Sequence, residues 1–242
     1  MWHEQNAIKR TKMTAKEMLS EMFLLQQKLN DETNGKGWEK GYNKHGRIIN
    51  WRRCIYMECA ELIDSFNWKH WKDIDISPDW DNVTIELVDI WHFVMSLGLE
   101  YYKNNNLGNI EKIVDEVMES SYINSFCLDS QIPDDQDALL IVSVIEHFMK
   151  DALEEKTFEK LSNDFFETAL QCGLNIDILY KYYVGKNVLN KFRQDHGYKE
   201  GTYQKVWNGK EDNVILSELL EKEPMGIDAL YQVLETKYQQ IS

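Results

Sequence analysis

Apolar residues recur at helical spacing along most of this 242-residue chain, and the alternation typical of strands is scarce. The first apolar face consists of four residues three or four positions apart, namely Met18, Met22, Leu25 and Leu29. Thr14 and Glu17 fit a capping box at the start of this helix. The sequence Asn-Asp-Glu-Thr-Asn-Gly-Lys-Gly that follows is turn chemistry, so we expect the helix to end near Asn30.

The same periodicity predicts further helices joined by polar or glycine-containing segments. Ser77 before Pro78 is a strong helix start, and Gly173 is well placed to end a helix. We expect these helices at about residues 50–65, 77–102, 109–128, 137–153, 158–172, 176–192 and 215–221, with a last one from 227 and turns at 131–135 and 224–226. The chain is therefore predicted to be a single all-α domain over residues 1–242, a multi-helix bundle in which residues 1–12 are a loose lead-in.

Composition and charge exclude some functions. The formal net charge of -14 argues against binding of nucleic-acid polymers. It leaves a nucleotide possible, because a metal ion and a few local cations can reverse the local field. The four cysteines form no C-x-x-C pair, and neither a signal-peptide pattern nor an apolar run long enough for a membrane is present. We therefore expect reduced cysteines, a cytoplasmic protein and no membrane partner.

Two pairs of acids stand within strongly apolar helical segments. Glu58 and Glu61 are three residues apart, and so are Glu86 and Asp89, so that each pair lies on one helix face. Helices that are apolar around much of their circumference are predicted to lie in the core, where bare carboxylates are very costly. Four carboxylates from two facing helices would form a hard-cation site suited to magnesium. A solvated helix face is the alternative.

A di-iron carboxylate bundle is a rival hypothesis for the same acids. That architecture uses Glu-x-x-His from each of two helices. The chain has Asp89-x-x-His92 once, and Asp64 stands three residues after Glu61, where a histidine would be needed. The di-iron hypothesis is therefore weak, and His92 on its own is slightly better explained as a satisfied core histidine.

Cationic residues near the end of the chain provide groups that a phosphate ligand needs. Lys186, Asn190 and Arg193 form one stripe of a helix, and Tyr198 and Lys199 follow on a glycine-containing loop. A solvated helix face and an ordinary loop are the alternative explanation. Neither a Walker loop nor G-x-G-x-x-G is present, so a nucleotide would have to be bound by this other arrangement.

The residues of these motifs and their order along the chain resemble those of a known family. Glu58-x-x-Glu61 followed by Glu86-x-x-Asp89 is similar to the metal motif of the all-α nucleoside triphosphate pyrophosphohydrolases, the MazG-like superfamily. The surrounding sequence is most similar to the dimeric dUTPase branch. The matching segments are residues 27–30, 51–53, 58–62, 68–72, 86–93, 185–194, 197–199 and 207–213, whereas residues 109–160 match least well.

This resemblance implies hydrolysis of dUTP and dUDP to dUMP by a homodimer, with release of pyrophosphate or phosphate and with Mg²⁺ as cofactor. It implies metal ligation by Glu58, Glu61, Glu86 and Asp89, with Glu58 also orienting or deprotonating the attacking water. It places near the uracil or deoxyribose Gln27, Asn30, Trp68, Trp71 and His92. It places near the phosphates Lys186, Asn190, Arg193, Tyr198 and Lys199, with Asn208 and Asn213 in the last loop.

Two alternatives remain at this point. One is a MazG-like enzyme for another deoxynucleotide such as dCTP, since the base contacts are not visible in a sequence. The other is a non-catalytic helical interaction protein whose acids are solvated. The tryptophan segment also departs from the family, because some relatives have a third aromatic residue where this chain has His70.

Overall fold

Ten α-helices make up most of the chain in this computed structural model, which describes residues 13–72, 77–129, 131, 133, 138–222 and 225–241. The helices are α1 (Ala15–Asn34), α2 (Trp51–Asp64), α3 (Trp80–Asn105), α4 (Ile110–Met118), α5 (Ile123–Phe126), α6 (Ala138–Leu153), α7 (Phe158–Gln171), α8 (Ile176–Asp195), α9 (Asp212–Lys222) and α10 (Ile227–Tyr238). A short 3-10 helix covers Trp38–Lys40, and β1 (Val206–Trp207) pairs antiparallel with β2 (Lys210–Glu211). The predicted all-α fold is confirmed.

Helix α1 begins as predicted and ends later. The Thr14 side chain accepts from the Glu17 backbone N–H, and the Glu17 side chain accepts from the Thr14 backbone N–H, which completes the capping box. The predicted end at Asn30 is wrong, because the polar residues after it continue the helix to Asn34. Their helix propensity is only slightly unfavourable, and the helix stops at Gly35, whose φ of 89° favours glycine.

Two other boundaries differ from the prediction for local reasons. Helix α3 is capped by Asp79, which accepts from the Asn82 backbone N–H, rather than by Ser77. The single helix expected at 109–128 is divided into α4 and α5. The Ser120 hydroxyl donates to the Asn163 side chain and accepts from the Tyr122 backbone N–H, and such local bonds compete with a continuing helix.

Several remaining expectations can be compared with the described residues. Helices α7 and α8 begin at or near the predicted positions, and Gly173 after α7 has a φ of 78°. Helix α9 starts earlier than predicted, directly after β2. The lead-in at 1–12 lies outside the described residues, as do most of the turn at 131–135 and Pro224 in the turn at 224–226.

Helix α3 is the central element of the larger hydrophobic core. It packs against α1, α2, α7 and α8, and most of its side chains between Val83 and Leu99 are buried. The Trp91 ring is fully buried and stacks on Phe165 of α7 with ring centroids 4.7 Å apart. Because the middle of α3 is enclosed on several sides, its polar residues Glu86, His92 and Ser96 face other helices instead of water.

A second hydrophobic cluster joins α8 to the end of the chain. Phe192 of α8 is fully buried and makes edge-to-face contacts with Trp207, Tyr231 and Tyr238. This cluster holds α9 and α10 against α8, which brings the loop after α8 back over the first core.

The four cysteines are free, two of them buried. None of the described helices combines the length and the apolar character that crossing a bilayer requires.

Candidate active site

Three carboxylates meet where α2 faces α3. Glu58 of α2 and Glu86 and Asp89 of α3 each offer an oxygen, and these three oxygens lie within 4.8 Å of one another. The i,i+3 spacing puts Glu86 and Asp89 on the face of α3 that meets α2. Glu86 is buried, and the other two are partly buried. We call these three residues the acid cluster.

Burial and mutual repulsion disfavour the ionised form of the carboxyl groups in the acid cluster. The pKa of Glu58 is raised to about 8, first by burial and then by the charges of Asp89, Glu61 and Glu86. The pKa of Glu86 is raised to about 7, again first by burial and then by Asp89. Lys186 opposes both shifts. Three carboxylates that repel one another at close range provide hard oxygen ligands suited to a divalent cation such as magnesium.

Glu61, the fourth predicted metal ligand, has a different position. Its side chain is exposed, and it is not one of the three residues whose oxygens converge. Its charge still raises the pKa of Glu58 and of Glu86, so it lies within electrostatic range of the acid cluster.

Lys186 connects α8 to the acid cluster. Its Nζ donates to Asp89 Oδ2 at 2.8 Å and to Asn213 Oδ1 at 2.9 Å, and its side chain is only 4% exposed. Helix α9, which carries Asn213, approaches α8 closely because Gly185 has no side chain. A Cβ added there would lie 2.7 Å from a methyl carbon of Leu220.

Arg193 lies seven residues further along α8, at the end of the same stripe, and is bound in a buried network. Its Nε and Nη2 donate to the two carboxylate oxygens of Asp212 at 2.8 and 2.7 Å, and Nη2 also donates to Asn213 Oδ1 at 3.1 Å. Asn190 accepts from Nη1 at 3.3 Å, and Tyr203 donates to Asp212 at 2.8 Å. Burial alone would lower the pKa of Arg193, but the hydrogen bonds and charge of Asp212 raise it above its ordinary value.

A buried polar network adjoins the acid cluster on the side of α1. His92 Nδ1 lies 2.6 Å from Gln26 Oε1, which also accepts from Tyr183 at 3.0 Å. Gln26 Nε2 donates to Asn30 Oδ1 and to Ser96 Oγ. Burial lowers the pKa of His92 to about 4, so the imidazole is neutral at pH 7, and its Nε2 is buried without a partner among the described residues.

Gln26, rather than Gln27, is the glutamine of this network. Gln27 is partly buried and donates to Asp31 Oδ1 at 3.1 Å. A sequence signal for Gln26 was present, because Met22, Gln26 and Asn30 are four residues apart and continue the buried face of α1. A polar residue on an apolar stripe needs partners there, which is how Gln26 could have been found.

The other predicted ligand-binding residues make their contacts outside the acid cluster. Trp68 and Trp71 follow α2 with ring centroids 5.7 Å apart, and Trp68 Nε1 donates to Asp64 Oδ1. Tyr198 contacts the Arg193 guanidinium, whose central carbon is 5.8 Å from the ring centroid. Lys199 donates to the Thr33 carbonyl at 3.2 Å. Asn208 lies in the turn between β1 and β2 and donates to the Gln240 carbonyl at 3.4 Å.

The structure therefore brings together most of the predicted metal-binding and phosphate-binding residues, although they are far apart in the sequence. The acid cluster, Lys186, Asn190, Arg193 and Asn213 form one connected region, with Asn30 and His92 beside it. Sequence reasoning missed Asp212 and Tyr203, which fix Arg193, and Gln26, Ser96 and Tyr183, which surround His92.

An all-α bundle with these acid pairs on consecutive helices is the architecture of the all-α nucleoside triphosphate pyrophosphohydrolases. The family model described as dUTPase matches residues 18–198 of the 242, and the chain belongs to this all-α dUTPase family. Membership identifies the activity as that of a dUTP diphosphatase. The matched range includes the acid cluster and all of α8. The comparison with curated proteins gives no match.

Proposed function

We propose that this enzyme hydrolyses dUTP, and also dUDP, to dUMP with release of pyrophosphate or phosphate, and that it uses Mg²⁺. The observation that carries the proposal is the convergence of three carboxylate oxygens within 4.8 Å beside a buried lysine. Acids that raise each other's pKa are stabilised by a cation, and the neighbouring cations suit a substrate that brings several negative charges.

In this proposal Glu58, Glu86 and Asp89 hold the magnesium, and Glu61 adds a fourth carboxylate from the exposed side. Bound magnesium supplies neutralisation of phosphate charge and a water of lowered pKa. Magnesium held by these carboxylates would keep some of its waters and would also bind phosphate oxygens, which is the usual manner of magnesium binding in nucleotide enzymes.

Glu58 is the residue to which we assign orientation and deprotonation of the attacking water. It comes from α2, which faces Glu86 and Asp89 on α3, whereas Lys186 and Arg193 come from α8. Its oxygen lies among those assigned to the metal, where a carboxylate can orient a water bound to the same ion and accept its proton. A base on α2 and cations on α8 suit attack on a phosphorus bound between these two helices.

The phosphates are assigned to the groups on α8 and after it. Lys186 contributes a point charge and Arg193 a planar guanidinium; Asn213 accepts from both, and Asn190 accepts from Arg193. Tyr198, Lys199 and Asn208 lie on loops that would have to move toward the substrate, as segments that close over ligands do.

The uracil and deoxyribose are assigned to the region of Asn30 and His92, with Gln27, Trp68 and Trp71 around it. Gln26 belongs in this set because it binds both Asn30 and His92. A neutral, buried histidine with a free ring nitrogen can recognise a base edge by a hydrogen bond, and a site built for one hydrogen-bond pattern rejects another strongly.

The same proposal includes three statements about the whole protein. Residues 1–242 form one dUTPase-like domain with 1–12 as a lead-in, the enzyme acts as a homodimer, and it works in the cytoplasm. Four free cysteines fit a reducing compartment. Analytical ultracentrifugation at micromolar concentration tests the homodimer, and a monomer mass would contradict it.

The substrate assignment is tested by release of pyrophosphate or phosphate from dUTP, dUDP, dCTP, dTTP and UTP, with magnesium and with a chelator. We expect turnover of dUTP and dUDP alone, lost on chelation. Turnover of dCTP would redirect the assignment to another deoxynucleotide, and absence of all turnover would favour a non-catalytic interaction protein. Glu58→Gln should abolish turnover while circular dichroism shows an intact fold.

A further inference from the structure

The Lys186 ammonium can pair either with the Asp89 carboxylate or with another anion. It is a buried ammonium with two partners, Asp89 Oδ2 at 2.8 Å and Asn213 Oδ1 at 2.9 Å. A buried charge needs such partners, since losing them without replacement is very costly. Lys186 can therefore leave Asp89 only when another anion takes the place of that carboxylate.

Asp89 also has two possible partners, namely Lys186 and a divalent cation bound at the acid cluster. It is one of the three residues of the acid cluster, and it is the one that pairs with Lys186. A divalent cation bound at the acid cluster and an ammonium on the same carboxylate repel each other. Binding of the cation therefore weakens the hold of Asp89 on Lys186, and the reverse is equally true.

Asn213 provides a second partner that is not a charge. Its amide oxygen accepts from Lys186 and also from Arg193 Nη2 at 3.1 Å. When Lys186 turns from Asp89 it can keep this bond, and its position beside Arg193 points it to the same phosphate groups. The long, flexible lysine stem makes the movement a rotamer change without a backbone change.

We propose that Lys186 couples metal binding to nucleotide binding by exchanging Asp89 for a phosphate oxygen of the substrate. This inference rests on the proposed metal site and adds a regulation of it. Without nucleotide, Lys186 competes with the divalent cation for Asp89. With nucleotide, the phosphates accept Lys186 and release Asp89 to the cation, so each ligand raises the affinity for the other by the same factor.

The test is isothermal titration of Mg²⁺, and of Mn²⁺ as a second probe, into chelator-treated full-length protein. Each titration is made without nucleotide and with a non-hydrolysable α,β-imido analogue of dUTP. The variant is Lys186→Met, which removes the charge and keeps the apolar stem. The matched control is Lys191→Met on the same helix, where the lysine is half exposed and pairs with Asp195.

We expect Lys186→Met to bind the metal about fivefold or more tightly than wild type without nucleotide. The factor by which the analogue raises metal affinity should also be at least about fivefold smaller in Lys186→Met than in wild type. Lys191→Met should match wild type in both. Circular dichroism at each metal concentration checks the fold, and Lys186→Gln replaces Lys186→Met if the latter is unfolded.

Two results would overturn the inference and leave the metal site in place. One is an unchanged or weaker metal affinity of Lys186→Met without nucleotide. The other is a tighter metal affinity with an unchanged nucleotide factor, which would describe a static repulsion without exchange. If neither wild type nor Lys191→Met binds the metal under any condition, the proposed metal site itself fails.

Discussion

Replacing Glu58 by Gln should stabilise the chelator-treated protein at pH 8 while it abolishes catalysis. The folded-state pKa of Glu58 is about 8, and the ordinary value is 4.5. Between these two pH values the folded state binds more protons at this site than the unfolded state, so ionisation of Glu58 lowers stability as pH rises. A glutamine amide at this position does not ionise, so the substitution removes the penalty.

The magnitude follows from the size of the pKa shift. A shift from 4.5 to about 8 corresponds to an upper limit of roughly 4 kcal/mol at pH 8, since each pKa unit is about 1.4 kcal/mol. Partial exposure of the Glu58 side chain reduces the effect by solvent screening, to about 2 kcal/mol. For a chain of this size that is a rise in Tm of about 4–8 °C.

Thermal unfolding of wild type and Glu58→Gln at pH 5 and pH 8 in chelator measures this difference. The comparison is made at each pH, because the lowered pKa of His92 acts in the opposite direction below pH 6.5 and cancels between the two proteins. The stabilisation should be small at pH 5 and largest at pH 8. Added magnesium should raise the Tm of wild type far more than that of Glu58→Gln.

Glu100→Gln is the matched control. Glu100 lies on α3 about 16 Å along the helix from Asp89, and burial raises its pKa to about 7. Its replacement should also stabilise the chelator-treated protein at pH 8, yet leave turnover and the magnesium effect unchanged. A Glu58→Gln protein that is less stable than wild type at pH 8, or one that gains as much from magnesium, would refute the reasoning.

The remaining predictions concern residues that sequence reasoning missed. Asp212→Asn leaves the buried Arg193 without its charged partner and should cost about 3–5 kcal/mol in urea unfolding and raise the KM for dUTP; an unchanged KM would separate Arg193 from the phosphates. Gln26→Leu removes the partner of His92 Nδ1 and should destabilise by about 1–3 kcal/mol and raise KM, whereas Gln27→Leu should be nearly neutral in stability. A larger loss of stability and a higher KM in Gln27→Leu than in Gln26→Leu would assign the base site to Gln27 instead of Gln26.

Local patterns were sufficient to predict most of the helices and the acids on them, although not all of the helix boundaries. The i,i+3 pairs on apolar helices indicated buried carboxylates, and Glu86 and Asp89 do meet Glu58 between α2 and α3. The stripe of Lys186, Asn190 and Arg193 on α8 was visible for the same reason, since helical spacing alone places the three side chains on one face. Each acid pair and the cationic stripe lie on one helix, and only the meeting of Glu58 with Glu86 and Asp89 requires α2 to face α3.

Features that depend on contacts between distant elements were not accessible. Glu61 lies on the same helix face as Glu58 within the sequence pattern, but it is exposed in the fold, and only the packing of α2 determines that. Asp212 gave no local sign of pairing with Arg193, because the bond forms when α9 packs on α8. The choice between Gln26 and Gln27 likewise depended on which face of α1 meets α3 and α8.

The central claim is that the acid cluster holds the metal at which dUTP is hydrolysed. It is tested most directly by pyrophosphate release from dUTP during a magnesium titration of wild type, Glu86→Gln and the control Glu100→Gln. The account predicts saturable activation by magnesium in wild type and in Glu100→Gln, and loss of turnover in a folded Glu86→Gln protein. Undiminished turnover in Glu86→Gln, or turnover of dUTP that persists in chelator, would contradict it.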